Sequence, residues 1–305
     1  MQMLIDELKE ALSRLRRDWP DHWQGLPLVL AQCLARLHDA GSQAQSPRYQ
    51  QLRNAAEDLA RRVEAVHAAM AAQALEAAYH NRLHFADTLW CMTALLLASR
   101  KIASASWTMF DAQSGQAGRT LGTTPPSCDA AKDLRTEQEM LVMLVMVTHD
   151  FEHDGRVNQY PMEMEKHSAS RAASVLSELG LSASDIATVK RLVERTDPFS
   201  VTENHQRALQ SAFDLSDEAW LQVLANEADI FASALPEFGE SLGHALSSEW
   251  SQKHPAMAQS VISPKGRLFF LEKVAMFSTP ASEDLGLKAS RQAQIKALKN
   301  HLPVH

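Results

Sequence analysis

Leu4, Leu8, Leu12 and Leu15 recur three or four positions apart, as do Leu30, Cys33, Leu34 and Leu37, and then Leu52, Ala55, Leu59, Val63, Val66 and Met70. Such spacing lines one face of a 3.6-residue helix, so the first quarter of the chain predicts three amphipathic helices. Pro20 and the segment Gly41 to Pro47 punctuate them, supplying fixed or permissive backbone angles where the apolar period breaks. A fourth helix is predicted from about Tyr79 to about Ser99. Thr136 followed by Glu139 has the capping-box spacing ahead of the apolar run Met140 to Val147, which predicts a buried helix opening there. Further helices are expected from Glu163 to Leu179, from Ser184 to Arg195, from Asp217 to Leu235 and within Arg267 to Met276. No alternating segment is bounded by hairpin dipeptides, and Ala and Leu dominate. The predicted fold is all-α, a compact multi-helix bundle.

Between Asp111 and Asp133 the composition turns to Gly, Ser, Thr and Pro, which predicts a long exposed loop and, given its place between the two histidine clusters, a candidate lid. No repeat period is visible. No linker separates residues 1–78 from 79–305, so the N-terminal helical segment is expected to complete the same domain as the catalytic part. The formal charge of −7 over 305 residues comes from interspersed acids and bases; without a basic stripe, nucleic acid is not an expected partner. The apolar stretches fall short of the ~20 residues a membrane-spanning helix needs. The N-terminus has no signal-peptide pattern, and no membrane association is expected. Cys33, Cys91 and Cys128 are an odd set without CxxC spacing, which points to a reducing, cytoplasmic setting. A homo-oligomer is left open.

Two clusters carry candidate chemistry: YHNRLH at Tyr79 to His84 and HDFEHDGRVN at His149 to Asn158. Each holds two histidines four apart, a spacing that on a helix places both imidazoles on one face. Neutral imidazole suits zinc, iron and manganese, and the adjoining Asp150 offers a carboxylate able to bridge two cations. Gly155 would allow a sharp turn after the helix. Thirteen histidines make some such pairs by chance; two pairs, each with Asp or Asn beside it, are harder to assign to chance.

YHNRLHFAD resembles the YHNxxHxxD signature of the class I cyclic-nucleotide phosphodiesterases, metal-dependent phosphohydrolases of the helical HD superfamily. HDFEHDGRVN matches their HDxxHxGxxN signature at every specified position. MEKHSASRAASVL, LVERTD and ANEADI follow in the family's order, so the resemblance spans roughly Tyr79 to Val274. It implies an HD/PDEase-like catalytic domain hydrolysing a phosphodiester, above all a 3',5'-cyclic nucleotide, through a hydroxide bridging two metals. It implies that His84, His149, Asp150 and Asp229 hold the first metal, usually zinc, with Asp150 bridging to a second such as magnesium or manganese. His80 is implied as general acid, His153 as a hydrogen-bonding neighbour of waters on the second metal, and Asn158 and Glu165 as orienting groups. Asp87, Thr196 and Asp197 match supporting positions. The residue types suit this chemistry: paired cations lower the pKa of bound water and neutralise phosphoryl charge, and a histidine near its ordinary pKa of ~6.5 can protonate a leaving alkoxide.

Arg267 stands where the family has a base-recognising glutamine, and Phe270 falls at its stacking position. Guanidinium only donates, whereas an amide both donates and accepts, so Arg267 is a candidate grip for a carboxylate or a second phosphate, or a plain solvated position. Glu227, two residues before Asp229 in place of a cysteine, is expected to add negative charge beside the metals. These departures keep open an HD phosphohydrolase of another phosphoester, such as a nucleotide monophosphate or a small phosphodiester. A di-iron HD oxygenase and a scaffold that has lost turnover are further alternatives; His80 at a non-ligand position weighs against the first and the intact ligand set against the second.

Overall fold

Ser46, Ser182 and Thr279 each accept a hydrogen bond from the backbone N–H three residues on, and Asp217 from the N–H two residues on. In each case an otherwise unpaired donor at a helix start is satisfied, and Pro47 and Pro280 add a preset φ at the first helical position. The computed structural model describes residues 2–39, 46–113 and 128–301, and among these there are α-helices, one π-helical turn and no strand. The chain is all-α. In order the helices are α1 (Gln2–Asp18), α2 (Leu26–Asp39), α3 (Pro47–Ala72), α4 (Arg82–Gln113), α5 (Cys128–Thr148), α6 (Glu163–Glu178), α7 (Ala183–Glu194), α8 (Val201–Ala208), α9 (Glu218–Ala234), α10 (Gly239–Trp250), α11 (Pro255–Val261), α12 (Pro264–Phe269), α13 (Pro280–Asp284) and α14 (Leu287–His301), with the π-helical turn Phe270–Val274 after α12.

The middle of the bundle is α4, α5 and α9. Phe85, Leu89, Met92, Leu95 and Leu96 on α4, and every residue from Met140 to Val147 on α5, are buried. A helix apolar all round has no solvent face to set a period, which is why these two read as runs rather than stripes. The amphipathic N-terminal helices close over this centre: α1 and α2 pack on α4, and α3 on α5. One apolar cluster extends from Leu4 to Leu287.

Three expectations need correction. The fourth helix starts at Arg82 and continues to Gln113, while α5 starts at Cys128; helix thus occupies both ends of the predicted loop, and 114–127 lies outside the described residues. The capping box does not form, because Thr136 and Glu139 are interior to α5. Glu139 instead receives Arg100 Nε at 2.9 Å and Arg135 Nε at 3.2 Å. The late segment divides, with α12 starting at Pro264 behind a Ser263 cap and passing into the π-helical turn at Phe270.

Arg16 of α1 reaches Asp87 of α4 with two parallel bonds, Nη1 to Oδ1 at 3.0 Å and Nη2 to Oδ2 at 2.7 Å. Asp87 is almost wholly buried and burial raises its pKa against the pull of Arg16. Removing the cation strands a buried carboxylate, so Arg16→Met is expected to cost about 3 kcal/mol in urea unfolding. A loss under about 1 kcal/mol would show that the pair is solvated and that α1 is held by its leucines alone.

Candidate metal centre

Asn81 separates the two histidines of the first cluster. Its Oδ1 accepts the N–H groups of Leu83 at 2.9 Å and His84 at 3.2 Å, capping α4. His84 therefore sits in the first turn while His80 lies on the preceding segment. The second cluster also straddles a helix end: α5 stops at Thr148, and His149 to Gly155 form turns with φ +62° at Glu152 and +74° at Gly155. The expectation that each pair shares a helical face is thus corrected, and the four imidazoles regroup across the clusters. His84 faces His149 with ring centroids 5.2 Å apart, and His80 stacks on His153 at 3.9 Å with planes 26° apart.

His84 Nε2 lies 3.2 Å from His149 Nε2, 3.2 Å from Asp150 Oδ2 and 3.1 Å from Asp229 Oδ1. His149 Nε2 is 3.2 Å from Asp150 Oδ2 and 3.6 Å from Asp229 Oδ1. Ligand atoms about 2.0–2.2 Å from one cation are separated by about 2.8–3.6 Å for right-angled to tetrahedral arrangements, so these edges have the size of one coordination sphere. His149 Nδ1–H donates to the Met146 carbonyl at 2.9 Å, so Nε2 is the ring nitrogen turned toward Asp150 and would ligate a cation that displaces its proton. Burial lowers the His84 pKa, but hydrogen bonds to Asp150 and Asp229 overcome it and lift the imidazole to about 9. Charge compensation by a proton there is what a divalent cation would replace.

His80, Asp150 and His153 form a second group of converging ligand atoms. Here the hydrogen bonds argue for different roles. His153 Nδ1 accepts the Gly155 N–H at 3.0 Å, so its ring proton is on Nε2, which donates rather than ligates. Burial first, then His80, pushes the His153 pKa down to about 4, keeping it neutral. His80 Nδ1 is 2.6 Å from Glu249 Oε1, and Glu249 Oε2 accepts the backbone N–H groups of Tyr79 at 2.8 Å and His80 at 3.0 Å. Burial would lower the His80 pKa; the Glu249 and Asp150 carboxylates outweigh it and raise it. Glu249 stays ionised, at about 2 despite burial. A Cβ at Gly155 would come within 2.9 Å of Glu249 Cγ, so glycine is required there by close approach as well as by φ.

Glu249, on α10, was not singled out by sequence reasoning, and neither was the wall role of Tyr79, whose ring lies 4.8 Å from those of His80 and His84. No short-range pattern signals Glu249; its partner is 169 residues away. Because its charge raises the His80 pKa, Glu249→Gln is expected to move the alkaline limb of the pH–rate profile to lower pH. An unmoved limb would assign that limb to another group.

The remaining candidates are placed as follows. Asn158 Nδ2 donates to Glu165 Oε2 at 2.9 Å, and its Oδ1 accepts the Met164 N–H at 2.9 Å. Burial lifts Glu165 to about 7, with Asp197 and Asp150 adding to the rise. Thr196 donates to the Val193 carbonyl, and Asp197 accepts the N–H groups of Met162 and Phe199. Arg267 is directed into the fold: Nη1 donates to the Ser233 carbonyl at 2.6 Å, Nη2 to Gln294 Oε1 at 2.7 Å, and the guanidinium lies 5.3 Å from the Phe270 ring centre. Phe270 is half-buried against the core. Glu227 turns away from the metal cluster and binds the N–H groups of Ser278 and Thr279 and the Thr279 hydroxyl, which corrects the expectation that it adds charge beside the metals.

Among the described residues no helix is long and apolar enough to cross a membrane. Comparison with known protein families, curated proteins and solved structures finds no match.

Proposed function

We propose that the chain is a metal-dependent phosphodiester hydrolase of the HD type, with a 3',5'-cyclic nucleotide as the leading substrate class. The observation that carries the reading is the division of labour among four histidines. His84 and His149 converge with Asp150 and Asp229 on one ion-sized space, while His80, beside them, is held by a buried carboxylate and kept off the ligand set. The donor set of two imidazoles and two carboxylates fits zinc, manganese or iron, and Asp150, common to both groups, fits a bridge to a second cation such as magnesium or manganese. When bound, such cations lower the pKa of water and neutralise phosphoryl charge.

The chain's own part is proton management and orientation. Glu249 fixes the His80 ring through Nδ1 and favours its protonated form, which leaves Nε2–H as the donor for a leaving alkoxide. Stacked His153 stays neutral and presents its own Nε2–H. Glu165, oriented by Asn158, adds a carboxyl that titrates near neutrality.

The test incubates metal-loaded protein with cyclic AMP, cyclic GMP and an aryl phosphodiester beside Asp229→Ala. Turnover of a cyclic nucleotide that vanishes in the variant supports the reading. Turnover of the aryl ester alone keeps the hydrolase and discards the nucleotide, a second reading favoured by the engagement of Arg267 with Ser233 and Gln294. No turnover, with two irons found by metal analysis, would replace hydrolysis by oxygenase chemistry.

A further inference from the structure

A cavity of about 190 Å³ lies where α1, the α1–α2 connection and α2 meet α4, lined by Arg14, Asp18, Trp23, Gln24, Gln32 and Trp90. None of these residues belongs to the metal centre. We propose that it binds a small, neutral, planar heteroaromatic ring system of one or two fused rings, carrying both donors and acceptors on its edge.

The walls set the shape. The Trp23 indole N–H donates to Glu64 at 3.0 Å and its ring meets Trp19 edge-on at 5.1 Å, so that wall is oriented before any ligand arrives. Trp90 is half-buried and its indole N–H has no partner among the described residues. Two indole walls select a flat ring, which packs on them by offset or edge contacts. The volume sets the size: pockets for drug-sized ligands run to roughly 300–1,000 Å³, so this smaller, partly open space is matched to a bare ring system.

The polar groups set the chemistry. Arg14 has no carboxylate partner among the described residues, and Asp18 meets only Arg17, at 4.0 Å. A cation and an anion on one rim disfavour a ligand of either net charge and suit an edge with acceptors for the first and donors for the second. Gln24 and Gln32 pair reciprocally at 3.4 and 3.1 Å, each retaining an N–H and a lone pair for a ring edge. Its Trp23 wall is tied to the start of α4 through the Trp23–Glu64–Arg82 chain.

Adenine is the probe, with benzoate and cyclohexylamine as charged controls, and the readout is the Trp90 indole N–H cross-peak, identified by its loss in Trp90→Phe. The full chain is expected to show a saturable shift with adenine, at least about tenfold weaker in Arg14→Ala and in Gln32→Ala, and unchanged in His80→Ala. Arg14 is exposed and has no carboxylate partner among the described residues, so its loss leaves the fold intact. The proposal is overturned by any of three results: no saturable shift up to the solubility limit of adenine, a shift that survives in both Arg14→Ala and Gln32→Ala, or an equal response to either charged control.

Discussion

Asp150→Ala is expected to leave the purified protein without stoichiometric metal and to reduce phosphodiester turnover by on the order of 10⁴-fold or more, at unchanged helix content. Asp150 stands in both groups of converging ligand atoms, whereas Asp229 stands in the one around His84 and His149. Asp150→Ala should therefore clear both positions, and Asp229→Ala only the first, a difference that metal analysis of the two proteins reads directly. The carboxylate also offsets the charge His84 and His149 carry without metal, so its removal takes away a ligand and a counter-charge together. Full metal occupancy in Asp150→Ala would mean that other groups hold the metal and that Asp150 is not a ligand.

His80→Ala should behave differently. Metal content stays at the wild-type level, and kcat for a cyclic nucleotide falls by about 10²- to 10⁴-fold, the range for a positioned general acid. The loss should shrink to about tenfold or less for a p-nitrophenyl phosphodiester, whose leaving group departs without a proton. Equal losses on both substrates, with metal released, would make His80 a ligand. The pH profile supplies a second reading: a donor whose pKa is raised acts below that pKa and fails above it, so the wild-type alkaline limb should be absent in the variant.

How far the sequence announced this arrangement depends on the distance over which each signal acts. The helix start at Asp217 was legible, with its cap two residues from the donor it satisfies, whereas the cap spacing at Thr136 and Glu139 misled because both lie inside α5. The clusters at His80 and His149 were legible because ligand residue types recur at short spacing. Their grouping was not: the spacing suggested pairs within each cluster, and Asn81 capping α4, with the turn after Thr148, dealt one histidine of each pair to the ion-sized cluster and the other to the His80–His153 stack. Glu249 was invisible for a related reason, since its partner His80 is remote in the chain. Arg267 and Glu227 show the converse limit, in that the sequence places them next to site positions while their side chains satisfy other parts of the fold.

The proposed ligands His84, His149 and Asp229 come from α4, the turn after α5 and α9, segments spread over about half of the chain. Such a site closes only once distant segments have docked, so it does not exist in the early, locally structured ensemble. Metal binding should accordingly leave the folding limb of a chevron nearly unchanged and slow the unfolding limb, making the loaded protein persistent without making it quicker to form.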